Sequence, residues 1–319
     1  MQNGIMATEI KNINKVKESE EQAPYNNNGS DKKGKRLGVL KTYKLYIDGK
    51  FPRTESGRYY VLKDDGGKSI ANICRASRKD FREAVVVARK AQTGWAAKSA
   101  YNKGQILYRI AEMFEGRKAQ FISELVQQGS SQTEAEAEVN LSIDRLVYYA
   151  GWSDKYIQVF SSVNPVESSH FNFSLPEPTG VVSILSSEGY GLLGLVSTIA
   201  PAIVGGNTVV VLASKEKPLT AITFGEVLHS SDVPAGVVNI LTGFRSELLP
   251  YFSNHMDVNA CVYCGSDEEE IKKVQINSSL NVKRAVIYST DNWMSEDSQN
   301  PYRIMDLQEI KTTWHPIGI

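Results

Sequence analysis

The spacing of apolar residues changes character twice along this chain. In the first patterned stretch, KLYIDGKF alternates apolar and polar residues around Asp48-Gly49, which predicts a hairpin with a type I′ turn. RYYVLKDDGGKSIANI predicts a second strand pair with Asp65-Gly66-Gly67 at its turn. The period then lengthens to that of a helix. Ser77 and Asp80 make a capping-box-like start, with Asp in place of the usual Glu or Gln. Phe81, Ala84, Val85, Ala88 and Ala91 follow at helical spacing, and Ile106, Ile110, Met113 and Phe114 mark the next helix. After Ser131 to Glu134, residues 133–160 predict one long helix, with Val139, Ile143, Val147 and Ala150 keeping its period.

After about residue 165 the pattern shifts again. FNFSL alternates strictly, which puts Phe171, Phe173 and Leu175 on one face of a strand that Pro176 and Pro178 close. Five short apolar runs follow at 181–185, 208–212, 237–241, 260–263 and 284–288. They alternate with helical stretches near 191–204, 219–231, 246–254 and 267–277. Nearly continuous apolar strands joined by helices predict a parallel sheet covered on both faces. The fold class is therefore α/β: a Rossmann-like, doubly wound parallel sheet with N-terminal helices, a β-hairpin strand and a C-terminal strand. On that last strand Ile310, Thr312 and Trp314 share one face.

Composition divides the chain further. Residues 1–41 are rich in Asn, Lys, Glu, Ser and Gly and read as a disordered tail, since they cannot bury enough apolar surface to offset ordering. Residues 42–165 form the N-terminal strand and helical part, 166–180 the hairpin strand, and 181–292 the Rossmann-like part. Residues 293–306, STDNWMSEDSQNPYRIMD at their widest, read as a polar connector, and 307–319 as the closing strand.

Lys plus Arg and Asp plus Glu each number 36, so the net charge is zero. A neutral chain removes the electrostatic case for binding nucleic acid or an anionic membrane. No apolar run approaches the roughly 20 residues of a membrane helix, and MQNGIMATEIKNINK has no apolar leader. The expected location is the cytoplasm. Three cysteines exclude a disulfide scaffold. Cys261 and Cys264 lie three apart on a strand, so they point to opposite faces and read as buried structural residues rather than half a metal site. Cys74 reads as core or edge. His170, His229, His255 and His315 form no recognisable triad or metal set.

Several segments, in order, resemble the aldehyde dehydrogenase superfamily. They are YIDGKF, AVVVARKAQTGW, KGQILYRIAEMFEGR, YYAGWSDK, EPTGVV, PAIVGGNTVVVLAS, PAGVVNILTG, HMDVNACVYCGS, LNVKRAVI and the closing LQEIKTTW. The resemblance runs from about residue 43 to 292 and again from about 307 to 319. It implies a coenzyme-binding Rossmann domain, NAD(P)-dependent aldehyde oxidation, and a closing strand that adds to the sheet of a neighbouring subunit. On this reading Leu307, Ile310, Thr312 and Trp314 are the interface residues. The alternative is that the strand folds back onto its own FNFSL strand, leaving no lone edge to invite aggregation.

The same resemblance shows what has changed. In the superfamily a catalytic domain carrying the nucleophilic cysteine lies between the last Rossmann strand and the closing strand; here residues 289–306 bridge that gap and contain no cysteine. The Asn that assists the oxyanion falls at Gly189, in Ser187-Glu188-Gly189-Tyr190. The ribose-binding Lys and Glu fall at Leu212 and Lys215, the general-base Glu at Tyr288, and the glycines after it at Thr290 and Asp291. Gly265 and Ser266 keep the start of the phosphate site, but Asp267, Glu268, Glu269 and Glu270 follow, with Glu270 in place of a second glycine. Acids at a helix N-terminus satisfy its dipole, each by roughly 0.3–1 kcal/mol, and repel a phosphate. Gly265 and Ser266 are thus vestigial cofactor-binding candidates.

Three assignments stand. The first is a non-catalytic, pseudoenzyme member of the superfamily, similar to the degenerate second half of its family 16, with no cofactor expected. It would serve as a structural or oligomerisation partner of a full-length aldehyde dehydrogenase or of itself. The second is an NAD- or NADP-binding component whose catalytic cysteine comes from a partner chain. The third is a ligand-sensing module that uses the old cleft for another small molecule.

Overall fold

The computed structural model describes residues 38–289 and 292–318, within which the compact folded unit starts at Leu40. The expected tail falls mostly on residues 1–37, outside the described residues. The expected tail overlaps the folded unit by residues 40 and 41, and the Lys41 carbonyl accepts the Asn72 N–H at 2.9 Å.

Strand β1 (Thr42–Tyr43) pairs in parallel with β3 (Ser69–Cys74), and β2 (Tyr59–Lys63) pairs with β3 antiparallel. Between β1 and β2, Asp48 and Gly49 take φ of 54° and 67°, the two positive values a type I′ turn requires. Ile47 and Lys50 exchange both backbone hydrogen bonds across that turn. Tyr46 does the same with Ile240, so the hairpin docks on the edge of the large sheet.

Helix α1 (Arg78–Ala96) starts at the expected capping box. Asp is needed there because its carboxylate has further work: it accepts from the Ser77 N–H, the Thr54 hydroxyl and the Glu55 N–H, tying the loop before β2 to the helix. Helix α2 (Ala100–Glu115) follows, then α3 (Lys118–Gln127), which the apolar spacing does not announce. Helix α4 (Gln132–Trp152) opens on the Ser131–Glu134 capping box and ends eight residues earlier than expected; residues 155–160 form a separate helix, α5 (Lys155–Phe160). The buried stripe of α4 also differs from the expected one. Val147 is exposed, while Glu138, Ser142 and Arg145 are buried beside Val139, Ile143 and Leu146. Polar residues on the inner face explain why apolar periodicity misplaces that stripe.

The chain next forms β4 (Ser162–Asn164), β5 (His170–Pro178) and β6 (Val181–Leu185), then α6 (Leu193–Val204), β7 (Thr208–Leu212), α7 (Leu219–His229), β8 (Val238–Leu241), α8 (Arg245–Asn254), β9 (Ala260–Cys264), α9 (Glu268–Ser279) and β10 (Arg284–Tyr288). Strands β6 to β10 make a fully parallel sheet in the order β10-β9-β6-β7-β8. Every residue of β6, β7, β8 and β9 is buried. One face packs on Phe81, Val85 and Ala88 of α1 with Leu249 and Phe252 of α8; the other packs on α6, α7 and helices α2 to α4. Cys261 and Cys264 lie in these two opposite cores, as their spacing implies. The strand order reverses between β6 and β9, which makes the crevice beyond their C-terminal ends the natural ligand site.

Residues 293–306 are a packed strap rather than a plain connector. They carry a 3₁₀ turn at Glu296–Ser298 and helix α10 (Tyr302–Met305). Trp293, Arg303 and Ile304 are buried, and Arg145 of α4 donates to the Trp293 and Ser295 carbonyls at 2.9 and 2.8 Å. The last strand, β11 (Gln308–Pro316), pairs antiparallel with β5 along its whole length, giving a three-stranded sheet β11-β5-β4. The fold-back alternative is the arrangement within this chain. Its apolar trio does not face the body: Phe171 and Leu175 are exposed, while Asn172, Ser174 and Pro176 turn inward.

Candidate functional site

The crevice at the C-terminal ends of β6, β7 and β9 is a cavity of about 520 Å³. Three loops and one helix start build its walls. The loop after β6 supplies Glu188 and Gly189, the loop after β7 Lys215 and Glu216, the loop after β9 Gly265 and Ser266, and α8 begins with Arg245. Leu212 and Lys215 end up near one another in sequence but not in environment: Leu212 is buried inside β7, and Lys215 lies over the Phe244 ring at 5.1 Å.

Arg245 occupies the floor. Its side chain is 13% exposed and pairs with Glu188 at 3.7 Å and Glu270 at 3.5 Å. The same guanidinium donates to the carbonyls of Ser186 and Cys264, beyond the end of β6 and at the end of β9, the latter at 3.3 Å. It also lies over the Tyr263 ring at 5.1 Å. Glu188 is fixed from its other oxygen by the Ser214 hydroxyl at 3.1 Å and the Lys215 N–H at 2.7 Å. Tyr263 donates its hydroxyl to Glu270 at 2.8 Å; burial, with this acceptor beside it, pushes the phenol up to about 12.

The anion-binding end of α9 is already used. Asp267 is its N-cap and accepts the Glu270 N–H at 2.9 Å. Glycine at 265 has a reason inside this chain, since a Cβ there would come within 3.0 Å of the Tyr263 hydroxyl and 3.2 Å of Arg245. These residues do not fit a dinucleotide pyrophosphate: Asp267 already takes the Glu270 N–H, four carboxylates crowd the turn, and Arg245 is held by two of its own glutamates.

Tyr288 borders this cleft through its backbone, pairing with Cys264 and accepting the Gly265 N–H at 3.1 Å, but its side chain turns to the strap. Its hydroxyl donates to Asp306 at 2.7 Å, Arg303 lies over its ring at 4.2 Å, and Trp293 meets it edge-on. Burial, with Asp306 next, pushes its hydroxyl well above the phenol range, so it is an anchor for the strap and no base. Thr290 and Asp291 lie outside the described residues. Cys74, Cys261 and Cys264 are all buried, and burial raises the Cys261 thiol to about 11, far from a neutral-pH thiolate. Among the described residues no group of three His, Cys, Asp or Glu could hold a metal ion. No helix among them is long and apolar enough to cross a membrane.

Residues 51–287 match the Aldehyde dehydrogenase family. The chain belongs to that family. It is 30% identical over 251 residues to omega-crystallin of Enteroctopus dofleini, covering 77% of this chain and 50% of that one. Retinal dehydrogenase 2 of Gallus gallus is 30% identical over 254 residues, covering 78% and 48%. Among solved structures, the NAD+ complex of aldehyde dehydrogenase from Bacillus cereus shares the fold at a TM-score of 0.74 and 23% identity, covering 77% of this chain and 50% of that one. PnpE from Pseudomonas sp. WBC-3 superposes at 0.74 with 25% identity, covering 79% and 51%. The chain spans about half the length of the relatives it matches.

Set against the aldehyde dehydrogenase pattern, the structure brings Gly265, Ser266, Glu188, Gly189 and Glu270 into one cleft and turns the Tyr288 side chain, at the edge of that cleft, toward Asp306 of the strap. The interface candidates separate as well. Leu307 is 2% exposed and its carbonyl binds Thr179 and Asn207, so it anchors β11 rather than offering itself to a neighbour. Ile310 and Trp314 are 56% and 57% exposed, and Thr312 pairs with Ser174 at 2.8 Å. Sequence reading misses Arg245, whose signal was available: a long cation at the first turn of a helix that starts beside the switch point.

Proposed function

We propose that this chain is a non-catalytic member of the aldehyde dehydrogenase family that serves as a structural or oligomerisation partner. The observation that supports it most directly is Arg245, bound between Glu188 and Glu270 where a dinucleotide would have to lie. On this reading no cofactor binds, and the chain acts in the cytoplasm. Residues 289–306, which link β10 to β11 directly through the strap, support the same conclusion, because the nucleophile-bearing region has no place between them.

The association surface is the sheet β11-β5-β4. Strand β11 lies at its edge, with Ile310 and Trp314 exposed, and the partner is a full-length aldehyde dehydrogenase or a second copy of this chain. The competing reading is an NAD(P)-binding component whose cysteine comes from a partner; the Gly265-Ser266 pair favours it.

Two measurements separate them. Calorimetric titration with NAD and NADP up to about 1 mM, where binding is worth only about 4 kcal/mol, is expected to give no heat. Aldehyde oxidation by the purified chain is expected to be absent. Cofactor heat selects the competing reading. Turnover that needs Cys264, or that survives replacement of all three cysteines, overturns the non-catalytic assignment.

A further inference from the structure

Gly189 separates the cleft described above from a second, more enclosed cavity of about 360 Å³ on the α4 side of the same loop. Its walls are Ser130, Glu134, Glu138, Tyr190, Lys217 and Met294. The volume lies within the roughly 300–1,000 Å³ of small-molecule sites.

Glu138 is 3% exposed, an uncommon position for a carboxylate. Its Oε1 accepts the N–H groups of Leu192 and Leu193, each at 3.1 Å. That contact caps α6, whose own N-cap residue, Leu192, has no side-chain acceptor. Oε2 accepts nothing from the described residues, and Glu138 lines the cavity. Burial pushes this carboxyl up, while the two N–H groups and Lys217 pull it back down.

Lys217 faces it. Its ammonium donates to the Ser130 hydroxyl at 2.9 Å, which leaves two N–H donors for another group. Lys217 is close enough to act on the carboxyls of Glu138 and Glu134, yet among the described residues it pairs directly with neither. Glu134 is committed to Ser131 at the start of α4. The cavity thus holds a cation and a buried carboxylate that make no ion pair with each other among the described residues, with Tyr190 and Met294 as less polar lining.

We propose that this cavity binds a small amino carboxylate, its ammonium on Glu138 Oε2 and its carboxylate on Lys217 and Ser130. A zwitterion satisfies both walls at once. A plain carboxylate leaves the buried Glu138 unpartnered, and a plain amine leaves Lys217 unpartnered, so each forfeits one charge-assisted contact. The inference does not depend on whether the neighbouring cleft takes a dinucleotide.

The test is calorimetric titration of the full chain with glycine, β-alanine and 4-aminobutyrate, against propionate and propylamine as one-ended probes. At least one amino carboxylate is expected to bind with Kd below about 1 mM, and the one-ended probes at least roughly tenfold more weakly. Glu138→Gln keeps an amide oxygen for the α6 cap but turns a donor toward the ligand ammonium. Lys217→Met keeps the stem and removes the charge. Each is expected to weaken the best ligand by roughly tenfold or more. The Lys217→Met chain serves if Glu138→Gln fails to fold. The proposal is overturned by no heat with any amino carboxylate, by propionate or propylamine binding as tightly as the zwitterion, or by unchanged affinity in Lys217→Met.

Discussion

The interior of the parallel sheet and the rim where its strands end are built by opposite means. Inside, β6 to β9 are buried at every position, and an apolar core lies on either side of them. At the rim the chain concentrates charge: Arg245, Glu188, Glu270, Asp267 and Lys217 come from connecting loops and helix starts, and Glu138 adds a carboxylate from within α4. Burial of apolar area is non-directional and tolerates changes elsewhere. Rim chemistry depends on single atoms. A family fold can therefore persist at a TM-score of 0.74 while the rim carries its own set of charged side chains.

The largest expected effect tests the interior. Phe81 stacks on Phe252 with ring centroids 4.2 Å apart, and both are fully buried. Phe81→Ala should cost about 3–5 kcal/mol, the usual range for an aromatic-to-alanine change in a core that cannot collapse. Urea unfolding followed by tryptophan fluorescence measures it. A loss below about 1 kcal/mol would mean the interior is as permissive as the rim, and the contrast would fail.

The opposite edge of the sheet, where strands begin, gives the next largest effect. Lys283 precedes β10, is buried, and donates its amine to the His255 carbonyl at 2.7 Å. Burial holds it down at about 8, partly opposed by Cys261. A lysine whose folded value lies below its unfolded value, near 10.4, binds its proton more readily when the chain unfolds. Stability from this group is complete above about 10.4 and is lost as pH falls through about 8, on the order of 2 kcal/mol in all. Chemical denaturation between these limits should show stability rising with pH in the native chain, and Lys283→Met should flatten that rise. An equal slope in both chains would remove Lys283 from the account.

How much of this was legible in the sequence follows the same divide. Strands 181–185, 208–212 and 284–288 are predicted at both ends because continuous apolar runs bounded by turns admit few other structures. Ser77 and Ser131 announce their helices because a cap is a local device. Helix α3 and the strap are not announced. The strap's buried residues are few, Trp293 and Ile304 among polar ones, and what orders it is Arg145, reaching across from α4, about 150 positions earlier in the chain. Likewise Gly265 and Ser266 are visible as a motif, but the meaning of the cleft rests on Arg245 meeting Glu188 and Glu270, one residue from a loop and two from the starts of different helices, which no periodicity relates. Long-range polar contacts leave no spacing signal.

The rim itself is expected to respond more gently. Arg245→Ala removes two partly solvated ion pairs and the contacts to the Ser186 and Cys264 carbonyls, a loss of about 1 kcal/mol once solvent screening is allowed for. It should not create a dinucleotide site, because Asp267 still caps α9 and Glu270 still fills the second glycine's place. Replacing Arg245, Asp267 and Glu270 together, each by Gly, is the change expected to let ADP-ribose bind measurably. Thermal shift with and without ADP-ribose reads both. Binding by Arg245→Ala alone would mean the guanidinium, and not the acidic turn, is what distinguishes the rim.

The smallest effect on folding is expected in the sheet β11-β5-β4, which belongs to neither region. Trp314 is exposed and touches its own chain chiefly through an edge-on contact with His170 at 5.9 Å. Trp314→Ser should therefore change stability by no more than about 0.5 kcal/mol, as surface substitutions usually do. Its backbone pairing with Asn172 does not involve the side chain and should persist. If the strand is an association surface, the same substitution should shift the population toward monomer in sedimentation velocity, because exposed Trp is the residue type that most often carries an interface. Loss of folding stability without a change in mass would instead make Trp314 a brace for its own sheet. A change in mass with stability intact would give β11 a role that neither the apolar interior nor the charged rim can supply.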